Sequence, residues 1–338
     1  MFFDQTVSLL QAQRRDVLRA PAMAAPSPAI TVLAASACNT VPKGGRSRTL
    51  TMRDGVQVRF ASWRPSGRPR GTMWVLQGRA DFIEKYYETV RDLLARGFAV
   101  ASFDWRGQGG SERLVCDPRK NHVESFEPFV RDLTEIMSRA APRDLPRPFY
   151  ALAHSMGGNV LLHALARDER LVDAAVLTAP MIALSPTLRP GVVGPLTKTL
   201  TACGWGGLAI PGGSRTGEVA VAFRADNLLT SCPLRYARAA EMVHAAPYLA
   251  VGRPTLGWVD AALRAMAALR DARPAGLPIL MAAGESDRVT STEAAIAHCA
   301  KLPAADVLPL ANCAHEVLLE TDAVRGRFWA AFDAFLPG

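Results

Sequence analysis

The sequence predicts an α/β fold: a mostly parallel sheet with helices on both faces and a helical lid insertion. Three observations predict it. From about residue 48 onward, short apolar runs alternate with amphipathic segments of helical period. The apolar runs are uninterrupted, as strands buried on both faces are. Residues 185–274 break the rhythm with helical stretches and loops but no convincing strand.

The elements follow in order. The stretch "RTLTMRDGVQVRFASW" holds two strand-like runs around Asp54-Gly55, a hairpin turn signal. "TMWVLQG" (72–78) reads as a buried strand, and "FIEKYYETVRDLLARG" (82–97) as a helix stopped by its glycine. "FAVASFD" (98–104) is a strand, and residues 124–140 form a helix. "FYALA" (149–153), the helix 157–168 and the strand 173–180 continue the alternation. After the insertion, whose clearest helix is 259–272, a strand opens "LPILMAAGESD" (277–287). The helix "TEAAIAHCAKL", the strand "ADVLPLA" and the helix "DAVRGRFWAAFDAFL" complete the chain. The expected organisation is a flexible leader over 1–47, a core over 48–184 and 275–338, and a cap over 185–274.

Composition narrows the class. With 338 residues, 49% of them hydrophobic, the chain can bury a large core without disulfide staples. Its six cysteines are widely spaced with no C-x-x-C pair, and they read as free thiols in a reducing compartment. The net charge of +8 comes mainly from arginine and reads as a scattered, solvated basic surface; anionic lipid headgroups are the partner it would otherwise favour. No aromatic-interleaved basic stripe points to nucleic acid. No apolar run is long enough for a membrane span. Within the leader, basic residues followed by small apolar ones up to Cys38 leave an export signal as the alternative, although Pro21, Pro26 and Pro28 interrupt it. The expected location is cytoplasmic, with peripheral contact at the inner membrane as a further expectation.

The chemistry centres on "FYALAHSMGGNV". Ser155 stands between an apolar strand and a helix, flanked by Ala153, Gly157 and Gly158. A strand-to-helix turn of this kind exposes a serine hydroxyl and needs small neighbours. Alanine stands where the usual G-x-S-x-G pattern has its first glycine. The helix start would aim the N–H of Met156 at a developing oxyanion. A serine needs a base. Of the six candidates, His122, His154, His163, His244, His298 and His315, His154 should point elsewhere on the turn and His163 and His298 lie inside helical patterns, whereas His315 follows the last strand in "LANCAHEVLLE" and is the expected base. Asp287, in "GESDRVT" after the preceding strand, is the expected partner that orients the histidine, with Glu285 as its rival. The second oxyanion donor is expected after "MWVLQG", where Gly78 lets the chain pass close and the N–H of Arg79 donates. No cofactor and no metal are expected.

Together "LQGRADFIEKYYE", "FDWRGQGGSER", "AHSMGGN", "GESDRVT" and "CAHEVLLE" resemble the α/β-hydrolase superfamily, and within it the bacterial lysophospholipase and monoacylglycerol lipase branch. The order Ser155, Asp287, His315 is the one that superfamily uses. The resemblance covers roughly residues 48–338 and extends to "NLLTSCPLRYAR" and "GRPTLGW" in the insertion. It implies that Asp104, Arg106, Gly107, Gly109 and Ser111 shape a loop beside the active site. Gln77-Gly78 replaces the branch's usual His-Gly, a change that leaves a backbone donor in place.

The resemblance implies a serine hydrolase that cleaves esters of small amphiphilic substrates, lysophospholipids or monoacylglycerols. Leu228, Leu229, Leu256, Trp258, Leu263 and Met266 of the insertion are expected to line an acyl pocket or to form the lid's own core. A carboxylesterase for small non-lipid esters uses the same triad and stays open, as does a non-catalytic binding protein on the same scaffold. An Asp nucleophile, as in epoxide hydrolases and dehalogenases, is opposed by Ser155.

Overall fold

The structure, a computed structural model, describes residues 27–210, 222–270, 272 and 276–336. Its sheet is built from β1 (Arg46–Thr51), β2 (Gln57–Trp63), β3 (Thr72–Leu76), β4 (Ala99–Phe103), β5 (Phe149–His154), β6 (Ala174–Thr178), β7 (Ile279–Gly284) and β8 (Ala305–Leu310). The strand order is β1-β2-β4-β3-β5-β6-β7-β8. β1, β2 and β4 pair antiparallel, and every pair from β4 to β8 is parallel. The Asp54-Gly55 turn is the predicted hairpin, with Gly55 at φ 86°.

Side chains alternate between the two faces of each strand. Trp74, Leu76, Phe103, Leu177 and Met281 enter one apolar cluster. Met73, Val75, Val100, Val176 and Leu280 enter the other. Helices α1 (Tyr87–Ala95) and α8 (Asp322–Phe335) cover the second cluster through Tyr87, Leu93, Phe328 and Phe332. Helices α2 (Glu127–Asp144), α3 (Met156–Leu165) and α7 (Thr292–Cys299) cover the first through Phe129, Leu133, Leu161 and Cys299. This is why the strands lack polar alternation: both faces are dry.

The segment 185–274 carries α4 (Pro190–Leu200), α5 (Pro233–Ala245) and α6 (Leu256–Leu269) between β6 and β7. α6 begins three residues before the predicted start, because the Thr255 side chain accepts a hydrogen bond from Trp258 N–H at 3.1 Å and caps an extra turn. The helix predicted from residue 82 opens as a 3-10 turn, Ile83–Tyr86, and Gly97 at φ 81° ends its run as expected.

Part of the expected flexible leader, residues 1–26, lies outside the described residues. The rest differs from that expectation. Ile30 N–H donates to Gly110 at 2.7 Å, Ala34 N–H to Glu84 at 3.0 Å, and Asn39 to the Glu84 carbonyl at 2.8 Å. β1 itself begins at Arg46, so the core reaches two residues upstream of 48. These docking bonds are long-range, and no local pattern announces them. The six cysteines are free. No helix among the described residues is long and apolar enough to cross a membrane.

Arg59 joins this N-terminal segment to the site-bearing loops. Its fully buried guanidinium donates to Asp104 at 2.7 Å, to both oxygens of Glu84 at 2.7 Å, and to the Val32 carbonyl at 3.0 Å. Replacing Arg59 by Met leaves two buried carboxylates uncompensated, so urea unfolding followed by tryptophan fluorescence is expected to show a loss of about 3–5 kcal/mol.

Candidate active site

Every predicted site residue falls at the carboxyl end of the parallel strands, where open α/β sheets bind ligands. Ser155 follows β5 directly and adopts φ 49°, ψ −112°, a conformation that costs a non-glycine residue about 1–3 kcal/mol. Its neighbours explain why the turn is held. A Cβ on Gly157 would lie 2.5 Å from the Leu76 carbonyl oxygen and 2.6 Å from that of Gln77. A Cβ on Gly158 would lie 2.9 Å from Pro180. The start of α3 therefore packs directly on the end of β3. Ala153, in place of the usual glycine, sits fully buried within β5, and the core absorbs its methyl.

The structure brings Ser155, His315 and Asp287 into one hydrogen-bonded chain. Ser155 Oγ lies 3.0 Å from His315 Nε2, and His315 Nδ1 lies 2.8 Å from Asp287 Oδ2. Asp287 also accepts from Val289 N–H at 2.7 Å, Thr290 N–H at 3.0 Å and the Thr290 hydroxyl at 2.6 Å. Burial pushes the Asp287 carboxyl up, but His315, Thr290 and Val289 outweigh it and hold it below the usual carboxylate range. An ionised Asp287 only accepts, so Nδ1 carries the proton and Nε2 of the neutral ring faces the serine. Burial disfavours the His315 imidazolium, yet Asp287 overcomes this and raises its pKa above the ordinary imidazole value.

Met156 is the first residue of α3, where backbone N–H groups have no partner within the helix. Gly78 and Arg79 lie on the wall of the same cavity as Ser155. The loop that carries them is braced twice. Gly78 N–H donates to Asp81 Oδ2 at 3.0 Å, and Ala80 N–H donates to the Gln108 side chain. Gln108 belongs to the Asp104–Ser111 loop. There Asp104 accepts from Gly110 N–H at 2.6 Å and Ile83 N–H at 2.9 Å, and the Ser111 hydroxyl donates to the Asp104 carbonyl at 2.6 Å. Arg106 turns away from the cavity to Asp132 and to Asp54, at 2.5 Å and 2.8 Å. Gly109 sits at φ 52°, and a Cβ there would lie 2.3 Å from the Asp104 carboxylate.

A cavity of about 300 Å³ opens onto Ser155 and His315. Leu228, Leu229 and Trp258 line it as anticipated, together with Leu188, Val193 and Ile210 of the insertion. Leu256, Leu263 and Met266 do not line it: Met266 and Leu263 pack into the core beneath, and Leu256 is buried. Position along α6 separates the two sets: Trp258, Val259 and Ala262 reach the cavity, and Met266 continues the same helix face a turn farther on, in the core.

The other histidines are occupied elsewhere or remote. His122 bonds the Thr255 hydroxyl at 2.7 Å, His163 bonds the Ala265 carbonyl at 3.0 Å, His298 is half-buried on α7, and His244 is exposed. Glu285 is exposed, and the carboxylate on His315 Nδ1 is that of Asp287. Sequence reasoning missed Asp81, Lys85 and Glu316, which meet beside His154; Asp81, His154 and Glu316 line the cavity and Lys85 lies behind them. Asp81, His154 and Glu316 each offer one possible ligand atom, all within 4.8 Å of one another, the nearest approach to a cation site among the described residues. Lys85 Nζ already sits on both carboxylates, so the chain supplies that positive charge itself. The adjacency of Glu316 to His315 was the one signal available in the sequence.

A strained serine elbow, a histidine and a carboxylate at successive strand ends, and a helical insertion over the cavity define an α/β-hydrolase. A family model described as serine aminopeptidase, S33 matches residues 67–322, and the chain belongs to this family. It is a carboxylic ester hydrolase. The chain is 31% identical over 288 residues to lysophospholipase L2 of Escherichia coli strain K12, covering 80% of this chain and 82% of that one. It is 28% identical over 179 residues to a monoacylglycerol lipase of Mycolicibacterium smegmatis, covering 52% and 62%. In fold it resembles a soluble variant of monoglyceride lipase from Saccharomyces cerevisiae solved with a substrate analog, at a TM-score of 0.69 and 17% identity over 87% of this chain and 96% of that one.

The elbow geometry predicts that Gly157→Ala pushes α3 off the end of β3. Thermal unfolding is expected to show a loss of about 1–3 kcal/mol, and a fluorophosphonate probe is expected to label Ser155 far more slowly than in the wild type.

Proposed function

We propose that the protein hydrolyses single-chain lipid esters, lysophospholipids first and monoacylglycerols second, through an acyl-enzyme on Ser155. The observation that carries this reading is the apolar cavity of about 300 Å³, covered by the insertion, with Ser155 at its polar end. That volume is at the lower end of the usual ligand-pocket range of about 300–1,000 Å³ and suits one acyl chain rather than two. The relatives named lysophospholipase and monoacylglycerol lipase support the same substrate class.

Ser155 Oγ attacks the ester carbonyl carbon as its proton passes to His315 Nε2. The N–H groups of Met156 and Arg79 receive the oxyanion. The bond to the alcohol breaks, and His315 returns its proton to the departing oxygen. Water then attacks the acyl-enzyme with His315 again as base, which frees the fatty acid and restores Ser155. Asp287 holds the ring in the required tautomer throughout. Only the neutral ring accepts the proton, so activity falls as pH drops through the raised His315 pKa.

The preference for lysophospholipids rests on Arg79. It is the one lysine or arginine that lines the cavity among the described residues. Its guanidinium lies 5.6 Å from the centre of the Trp258 ring and donates to the Gly252 carbonyl at 3.3 Å, which holds it at the wall. A phosphodiester carried into an apolar cavity needs such a partner, and a glycerol headgroup does not. The test is fatty-acid release from a lysophospholipid and a monoacylglycerol of equal chain length. Release from both is expected to vanish in Ser155→Ala. In Arg79→Ala the lysophospholipid-to-monoacylglycerol ratio of kcat/KM is expected to fall about tenfold or more. Cleavage of short soluble esters alone would instead favour a small-ester carboxylesterase.

We also propose that the insertion rests on an anionic lipid surface. Leu188, Val192 and Leu196 recur every four residues and are 37%, 67% and 55% exposed, next to exposed Arg189 and Lys198. Leu188 belongs to the cavity wall as well, so this ridge adjoins the substrate's entrance. Val192→Asp/Leu196→Asp is expected to lower hydrolysis of lysophospholipid in anionic vesicles several-fold relative to hydrolysis of a soluble short-chain ester. An unchanged ratio between the two substrates rejects the contact.

A further inference from the structure

The acyl-transfer steps leave a buried group of charges unused. Lys85 lies in the turn after β3 with its side chain 2% exposed. Its ammonium pairs with Asp81 and, at 2.7 Å, with Glu316 Oε1. Asp81 Oδ2 accepts from Gly78 N–H at 3.0 Å and from the Tyr86 hydroxyl at 2.8 Å. Glu316 follows His315 directly. Its Oε2 lies 3.5 Å from His154 Nε2, and its own N–H donates to the Leu229 carbonyl at 2.7 Å. One ammonium therefore ties the loop of Gly78 and Arg79 to the loop of His315, and the Leu229 bond extends the tie to the insertion.

Stability does not account for this arrangement. Removing an ammonium and a carboxylate from water costs several kcal/mol per ion, and apolar replacements of whole buried pairs are often neutral or stabilising. Placement beside the base does account for it. His315 faces Asp287 at Nδ1, Ser155 at Nε2 and the His154 ring at 4.8 Å between centroids. Glu316 is its chain neighbour, with Lys85 beyond Glu316 and Asp81 beyond Lys85. His154 Nδ1 is turned to the Thr178 carbonyl at 3.1 Å, which fixes that nitrogen as a donor and leaves Nε2 toward Glu316. In a buried setting, full charges a few ångströms away act strongly on a forming imidazolium.

We propose that Lys85 and Glu316 are positioning residues: a charge clamp that holds the loop of Gly78 and Arg79 against the base and sets the charge His315 experiences as it takes the serine proton. The inference rests on the reading of Ser155, His315 and Asp287 as an acyl-transfer triad. The two ions act in opposite senses. After burial, which lowers the His315 pKa, and Asp287, which raises it, Glu316 raises it further and Lys85 lowers it. Glu316 makes His315 a stronger base, and Lys85 limits how early that base is protonated. Burial pushes Glu316 up, but Lys85 holds it far below the usual carboxylate range, so it stays charged beside the ring.

The test is the pH profile of kcat/KM for a soluble p-nitrophenyl ester, whose acid limb reports the free enzyme's base. Glu316→Gln removes a negative charge and is expected to move the acid limb to lower pH by about half a unit or more. Lys85→Met removes a positive charge and is expected to move it to higher pH. The double variant restores the net charge and is expected to return the limb toward its wild-type position. A merely structural role would lower the rate without shifting the limb in opposite directions. Unshifted limbs, or shifts of the same sign, overturn the clamp. If Lys85→Met shows no cooperative thermal unfolding, Glu316→Gln decides alone, and an unchanged or raised limb overturns the proposal. Wild-type hydrolysis that survives Ser155→Ala overturns the triad reading itself, and the clamp falls with it. Ser155-dependent hydrolysis with unshifted limbs overturns only the clamp.

Discussion

The close approach of α3 to the end of β3 is the constraint on which the rest of the site depends. Gly157 lies so near the carbonyl oxygens of Leu76 and Gln77 that no side chain fits between them. That contact holds Ser155 at a positive φ and presents its hydroxyl at the sheet's edge. The same contact sets the helix start beside the loop of Gly78 and Arg79. Strain of about 1–3 kcal/mol at a single residue is small against a core that covers both faces of the sheet, which explains how the turn persists.

Two buried ion clusters flank this turn, and they differ in what they hold. Arg59 joins Glu84 and Asp104 and fastens the Asp104–Ser111 loop, which in turn braces Ala80 through Gln108. Lys85 joins Asp81 and Glu316 and spans from the Gly78 loop to the residue after His315. Each cluster fastens loops that cross the strand ends, where backbone hydrogen bonding from the sheet has stopped. Loops are the least determined parts of such a fold, and charge-assisted bonds are directional enough to fix them.

The insertion determines the shape of the cavity. Trp258 and Ala262 of its last helix belong to the core and also reach the cavity, whereas Met266, a turn farther along the same face, packs in the core alone. The core architecture admits many esters. The apolar wall contributed by the insertion, with Arg79 at its edge, is what the proposed preference for amphiphilic substrates rests on.

The sequence by itself determined the order and type of nearly every sheet element. Uninterrupted apolar runs and helix-period segments are local patterns, and dry strands must show them. It also singled out Ser155, Asp287 and His315, which the structure brings into one hydrogen-bonded chain, because each stands at the end of a recognisable strand and a parallel sheet gathers such ends on one edge. Tertiary structure alone decided what depends on contacts between distant segments. It docked residues 27–47 on the body where a flexible leader was expected, since Ala34 and Asn39 bond Glu84 about fifty residues away. It sorted Leu228, Leu229 and Trp258 from Leu256, Leu263 and Met266, which composition cannot distinguish. It also brought Lys85 to Glu316 across 231 positions of chain, a pairing that leaves no local periodicity to read, because a charge in a helix-like segment looks the same whether it faces water or another buried charge.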